Sequence, residues 1–141
     1  NLSFLKEIGN IDAGNAYTAD YSKKATTMVA SGEWRINFDV GRATIRPEGR
    51  DVLEQIYNLL VQAEDSKLEM IGHTDNTGNP DANYSLSIAR AETVKSFLVS
   101  RGVPANRFQK IEGHGQDEPV ADNTTAAGKA QNRRVVISIL K

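Results

Sequence analysis

Between Lys67 and Val99 a period-two run of apolar residues gives way, across a polar turn, to a run at helical spacing, and this transition restricts the possible folds more than any other feature. Lys67-Leu68-Glu69-Met70-Ile71 alternates as a strand does, and the stretch from Asp75 through Asn76, Thr77, Gly78, Asn79 and Pro80 to Asp81 is a dense turn and helix-start signal. A helix is expected from about Asn83, with Leu86, Arg90, Val94, Phe97 and Leu98 recurring on one face. Arg90 therefore sits among apolar neighbours. Burying an unpaired guanidinium costs several kcal/mol, so Arg90 must snorkel, pair with a carboxylate, or await an anionic ligand. Helix side chains tilt toward the N-terminus, which aims Arg90 at the loop carrying Asp75. An acid at a strand end and an arginine rising from the next helix give one pocket wall two opposite charges, which suits a zwitterion.

The flanking segments extend the same alternation. Residues Glu33 to Asp39 read as a strand with Trp34, Ile36 and Phe38 on one face. Pro47 fits the first turn of a helix whose stripe is Val52, Leu53, Ile56, Leu59, Leu60 and Ala63, and residues Lys67 to His73 form the second strand. Crossover connections of this length imply parallel pairing, with ligands beyond the carboxyl ends of the strands, where Asp39 and Asp75 both fall. Gly102 and Pro104 close the second helix, and Arg107 to Gly113 gives a third strand with Phe108 and Ile111 facing inward imperfectly. Thr124 or Thr125 starts a short helix through Gln131, and Val135, Ile137 and Ile139 alternate in a final strand. One of Arg133 and Arg134 is expected to reach the site; alternation puts Arg133 on the apolar face, leaving Arg134 as the candidate. Leu2, Phe4, Leu5 and Ile8 suggest a short amphipathic turn or helix, and Asp20 to Val29 another. The architecture expected is one α/β domain, a mixed sheet of about four strands with helices mainly on one face.

Composition narrows the function. Seventeen basic and eighteen acidic residues leave a net charge of -1 without a basic cluster, so nucleic acid is not the expected partner. No stretch approaches the roughly 20 apolar residues of a membrane span. A chain of 141 residues can bury about two thirds of its unfolded surface, so with no cysteines it needs neither disulfide nor metal to fold. Because it opens on Asn1, a mature or excised segment is expected, with a flanking domain or membrane anchor upstream.

The run Gly72-His73-Thr74-Asp75-Asn76-Thr77-Gly78, then Asn83, then Leu86-Ser87-Ile88-Ala89-Arg90-Ala91 with Val94, and later Asn132-Arg133-Arg134-Val135, resembles the OmpA/MotB-like C-terminal domain that binds peptidoglycan. The resemblance runs from about Glu33 to the end. It implies an OmpA-like βαβαβ-β domain at residues 33–141, with residues 1–32 as an N-terminal extension or linker. It also implies non-covalent binding of the diaminopimelate residue of the stem peptide in the periplasm, anchoring a larger envelope protein to the wall without a cofactor or metal. Asp75 and Arg90 match the family's ligand-gripping aspartate and arginine; Asp75 is expected to take the ammonium and Arg90 the carboxylate of the free end of diaminopimelate. Asn83 matches the family asparagine, as helix cap or ligand contact. Thr77, Leu86 and Asp39 are further candidate contacts, Asp39 as a second acid beside a loop whose Gly41 would let backbone approach a bound peptide.

Other chemistries fit less well. His73, Asp75 and Ser87 suggest a hydrolase, but no nucleophile elbow is present, and His73 reads as a hydrogen-bonded structural imidazole. His114 lies between two glycines with no partner at metal-ligand spacing. Asp75, Thr77, Asn79 and Asp81 have the one-three-five-seven spacing of a calcium loop, yet glycine falls at its fourth place and Leu86 where the closing glutamate belongs. Two readings compete for the Asp75 and Arg90 pair. As a purely structural salt bridge, the two would pair and orient the loop; apart from that, the competing function is a docking or dimerisation module with the pocket unused. As a ligand grip, each is expected to keep some access to water.

Overall fold

The computed structural model describes residues 32–140, so the amphipathic segments expected at 2–8 and 20–29 lie outside the described residues. Four strands, β1 (Gly32–Asn37), β2 (Lys67–Gly72), β3 (Phe108–Gly113) and β4 (Arg134–Leu140), form a mixed sheet in the order β1-β4-β2-β3. Three helices accompany it: α1 (Pro47–Gln62), α2 (Pro80–Ser100) and α3 (Ala126–Asn132). β2 and β3, joined through α2, pair in parallel as their crossover requires. β1 and β2 are not neighbours: β4 fills the slot between them, antiparallel to both. A central strand is flanked on both sides, and the β4 residues Val135, Ile137 and Ile139 are correspondingly buried.

The core lies between one face of this sheet and the inner faces of α1 and α2. Ile36, Leu68, Met70, Val135, Ile137 and Ile139 meet Leu53, Ile56 and Leu60 of α1 and Ala91, Val94 and Leu98 of α2. Fully buried aliphatic side chains of this size contribute roughly 2 kcal/mol each. The C-terminus of α1 has no basic residue of its own; Arg107, just before β3, donates to the carbonyls of Leu60, Ala63 and Ser66 and satisfies it from a distance.

α2 begins earlier than its apolar stripe implies. Asn79 is the N-cap, its side-chain oxygen accepting from the amides of Asp81 and Ala82, and Pro80 occupies the first turn. Asn83 therefore lies inside the first turn and is not the cap. The helix passes very close to the ends of β2 and β3. A Cβ on Gly72 would stand 2.0 Å from the Ser87 carbonyl oxygen, and one on Gly113 would stand 2.3 Å from the Ser87 hydroxyl. Only glycine permits this approach, and the approach carries Arg90 under the strand ends.

Candidate functional site

Arg90 lies on the inner face of α2 with Asn83, Ser87, Ala91, Val94 and Leu98, and it is 0% exposed. Its guanidinium is held by backbone oxygens and not by an acid: Nε donates to Arg42 O at 2.8 Å, Nη1 to His73 O at 2.9 Å and Nη2 to Asp39 O at 3.0 Å. It also lies over the Phe38 ring, 5.2 Å from the centroid. Among the described residues no carboxylate comes within 4.0 Å of it. Burial and the neighbouring Arg133 charge lower its pKa to about 10, with Asp75 pulling the other way, so it stays charged at neutral pH. A guanidinium has five N–H donors, and these three bonds leave one on each terminal nitrogen.

Asp75 sits in the loop between β2 and α2 and is 5% exposed. Its Oδ1 accepts from the Thr77 amide at 2.9 Å, and its Oδ2 from Arg133 Nη1 at 3.1 Å. Burial on its own would raise the pKa of this carboxyl; the Thr77 amide and the Arg133 guanidinium outweigh it and hold the pKa below the ordinary value. Asn83 Nδ2 donates to Thr77 O at 3.0 Å and to Gln116 Oε1 at 2.8 Å, which fixes the loop from beneath. Lys129 of α3 reaches over its rim to Thr77 Oγ1 at 2.8 Å and Asn76 Oδ1 at 3.2 Å.

The structure thus brings Asp75, Thr77, Asn83 and Arg90 together and treats the other candidates differently. Neither Asp75 nor Arg90 keeps the water access expected of a ligand grip, and they do not bond one another. Asp39 gives the site its backbone carbonyl, but its exposed carboxylate is bound to Arg46 at 2.7 Å. Leu86 is half-buried, one step off the inner face. Gly41 has φ +66 with open space where a Cβ would be, so its glycine serves the turn and not a close approach. Arg133, not Arg134, meets Asp75. Arg134 is buried against the carbonyls of Glu118 and Asn132. The strand begins only at Arg134, and Arg133 has the backbone of a helix end (φ -83, ψ 84), so strand alternation does not extend to it. Arg133, Lys129 and Gln116 are the residues that sequence reasoning missed.

Two side chains suggestive of catalysis have other work. Ser87 Oγ donates to Tyr84 O and accepts from the Gly115 amide. His73 is not the hydrogen-bonded imidazole expected: its buried Nδ1 has no partner among the described residues. It packs edge-on against His114 with ring centroids 5.7 Å apart, and burial, helped by the charges of Arg134 and His114, lowers its pKa to about 4. In the calcium-like spacing, the Asn79 oxygen is spent on capping α2, and Asp75 is already bonded on both oxygens.

The sequence matches the OmpA family over residues 37–133. It is 41% identical over 104 residues to the "Probable lipoprotein YiaD" of Escherichia coli, covering 74% of this chain and 47% of that protein. The chain spans about half the length of the curated relatives it matches. The crystal structure of the peptidoglycan-associated lipoprotein from Burkholderia pseudomallei superimposes with a TM-score of 0.70 at 27% identity, covering 74% of this chain and 88% of that one. The cell wall anchor of the T6SS from Pseudomonas aeruginosa does so with a TM-score of 0.66 at 32% identity, covering 78% and 81%.

Proposed function

The chain belongs to the OmpA family, and from that premise we propose that it binds peptidoglycan non-covalently through the diaminopimelate residue of the stem peptide. A larger envelope protein is thereby held to the wall. The observation that carries this reading is a pair of opposite charges enclosed in one site without neutralising each other: Asp75 is bonded to Thr77 and Arg133, and Arg90 to three carbonyls. The peptidoglycan-associated lipoprotein and the cell wall anchor with the same fold support it. So does the Escherichia coli lipoprotein relative for an envelope location. Among the described residues no helix is long and apolar enough to cross a membrane.

In this reading the ligand's ammonium uses the lone pairs that Asp75 has left, and its carboxylate takes the N–H that remains on each terminal nitrogen of Arg90, in the two-bond fit that only arginine offers. Arg90 is enclosed by the exposed stretch 39–42, so that stretch must yield as the ligand enters. Thr77 and Asn83 shape the loop, and Leu86 provides apolar wall. No proton moves and no cofactor is required. Purified sacculi test the reading: the 141-residue chain should cosediment with them. Diaminopimelate muropeptides should compete where lysine muropeptides, lacking the terminal carboxylate, do not. Equal competition by both would remove the role given to Arg90.

A second reading, a partner-docking or dimerisation module with the pocket unused, draws on the completeness of the bonding around Arg90. It predicts no cosedimentation even at low salt.

A further inference from the structure

We propose that Arg133 is the positioning residue that sets the charge selectivity of this site, pinning the Asp75 carboxylate and cancelling its charge so that a ligand end with a free carboxylate is preferred to the same end carrying an amide. The proposal rests on the diaminopimelate reading above. Arg133 stands where three segments meet: it follows α3, donates through Nε to Phe38 O at 2.9 Å, and donates through Nη1 to Asp75 Oδ2 at 3.1 Å. Its side chain is 15% exposed and that of Asp75 7%, so the pair is largely shielded from solvent screening. With Thr77 on the other oxygen, the carboxylate plane is fixed from two sides and its remaining lone pairs are directed.

The consequence is a matter of charge. Asp75 and Arg133 sum to zero, Arg90 has no carboxylate in contact among the described residues, and the Asp39 carboxylate is turned away to Arg46. Lys129 adds a further positive group at the rim. The enclosed site therefore carries the uncancelled charge of Arg90. A zwitterionic ligand end, net zero, enters without a penalty; an amidated end retains only its ammonium, net positive, and is repelled as well as deprived of its bond to Arg90. If Arg133 only stabilised the fold, its loss would weaken both ligands alike.

The test uses the 141-residue chain and two purified disaccharide-tetrapeptide muropeptides, one with free and one with amidated diaminopimelate. Titration calorimetry would be run on the wild type, Arg133→Gln and Arg133→Lys, with melting curves as a fold control. The wild type should prefer the free carboxylate by about tenfold or more, about one and a half kcal/mol. Arg133→Gln should reduce that ratio at least threefold and move the acid limb of binding to higher pH, because Asp75 loses its partner; Arg133→Lys should restore most of both. An unchanged ratio and an unmoved acid limb in Arg133→Gln overturn the proposal while leaving the site's ligand as read. If Arg133→Gln is unfolded, an Arg133→Lys variant whose ratio falls as far as that of an Arg90 variant overturns it too. A wild type that binds neither muropeptide overturns the ligand reading, and this proposal with it.

Discussion

Arg90 and Arg134 are both buried, both held mainly by backbone carbonyls, and both lowered to a pKa of about 10 by burial, yet they do different things. Arg134 bonds the carbonyls of Asn132 and Glu118, leaves its Nε without a partner among the described residues, and has the charges of Arg35, Glu118 and Glu33 around it. Arg90 uses all three nitrogens, ties the exit of β1 to the exit of β2, and stands beside Asp75 and Arg133. A buried arginine is therefore not in itself a sign of a ligand. What distinguishes Arg90 is that it joins two strand exits beside Asp75, so the architecture there and the proposed recognition rest on one side chain.

The largest effect is accordingly expected from Arg90→Ala. Three carbonyls lose their donor and a large side chain leaves a void, so the domain should lose about 4 kcal/mol. Thermal melting checks it, and a fall of less than about 5 °C would show that the three carbonyl bonds contribute little. This exceeds the small loss expected of a water-accessible binding residue, because the structure encloses Arg90 completely.

Asp75→Asn sharpens the other half of the pair. The amide keeps the shape and can still accept from Thr77, but its NH2 then faces Arg133, so stability should fall by about 2 kcal/mol, while affinity for sacculi should also fall roughly thirtyfold, about 2 kcal/mol, as a charge-assisted contact is lost. A variant that melts much earlier yet still sediments with sacculi would make Asp75 a structural residue.

Much of this was legible in the sequence, and the gaps have physical causes. β1, β2, β4 and the stripe of α1 follow from periodicity, whereas in β3 a register shift between Phe108 and Lys110 breaks the alternation; Thr125 and Gly102 bound helices where their chemistry says they should. The slot taken by β4 was not legible, since alternation reports a strand's faces and not its neighbours. α2 starts at Pro80, ahead of the expected Asn83; its inner face begins with the polar residues Asn83 and Ser87, which blur the apolar stripe. That Asp75 and Arg90 approach one site was legible from helix geometry. That Arg90 would be held by carbonyls was not, because backbone acceptors leave no trace in residue identity. The choice between Arg133 and Arg134 turned on one residue of strand boundary, which alternation does not determine.

Arg134→Met tests the contrast from the opposite side. Two carbonyls lose their donor, but a buried charge with an unpartnered Nε goes as well, so the net loss should be about 1 kcal/mol. Sacculus affinity should stay within about twofold of the wild type. Loss of binding by a variant that melts normally would bring Arg134 back into the site.

The smallest effect is expected at the histidines beside Arg134. His114 bonds Glu112 and Glu118 through its two ring nitrogens, and these contacts raise its pKa above the usual value. Because the folded state holds that proton more tightly than the unfolded chain does, the contribution to stability is fully present below about pH 6.5 and is lost as pH rises through the elevated pKa. His73 acts in the opposite sense: its pKa is lowered to about 4, so its contribution is present above about pH 6.5 and is lost as pH falls toward 4. The two limbs occupy different windows; His114→Gln removes the upper one and, by taking away the His114 charge that helps lower the His73 pKa, softens the lower one. Wild type and variant should therefore converge in melting temperature as pH rises above about 6.5 through the elevated His114 pKa, and below it the variant should lose slightly less stability on acidification. The glutamates are exposed, so the difference should be small and should shrink further in high salt. A gap that widens with rising pH would show that the imidazole is neutral where it contacts the two carboxylates.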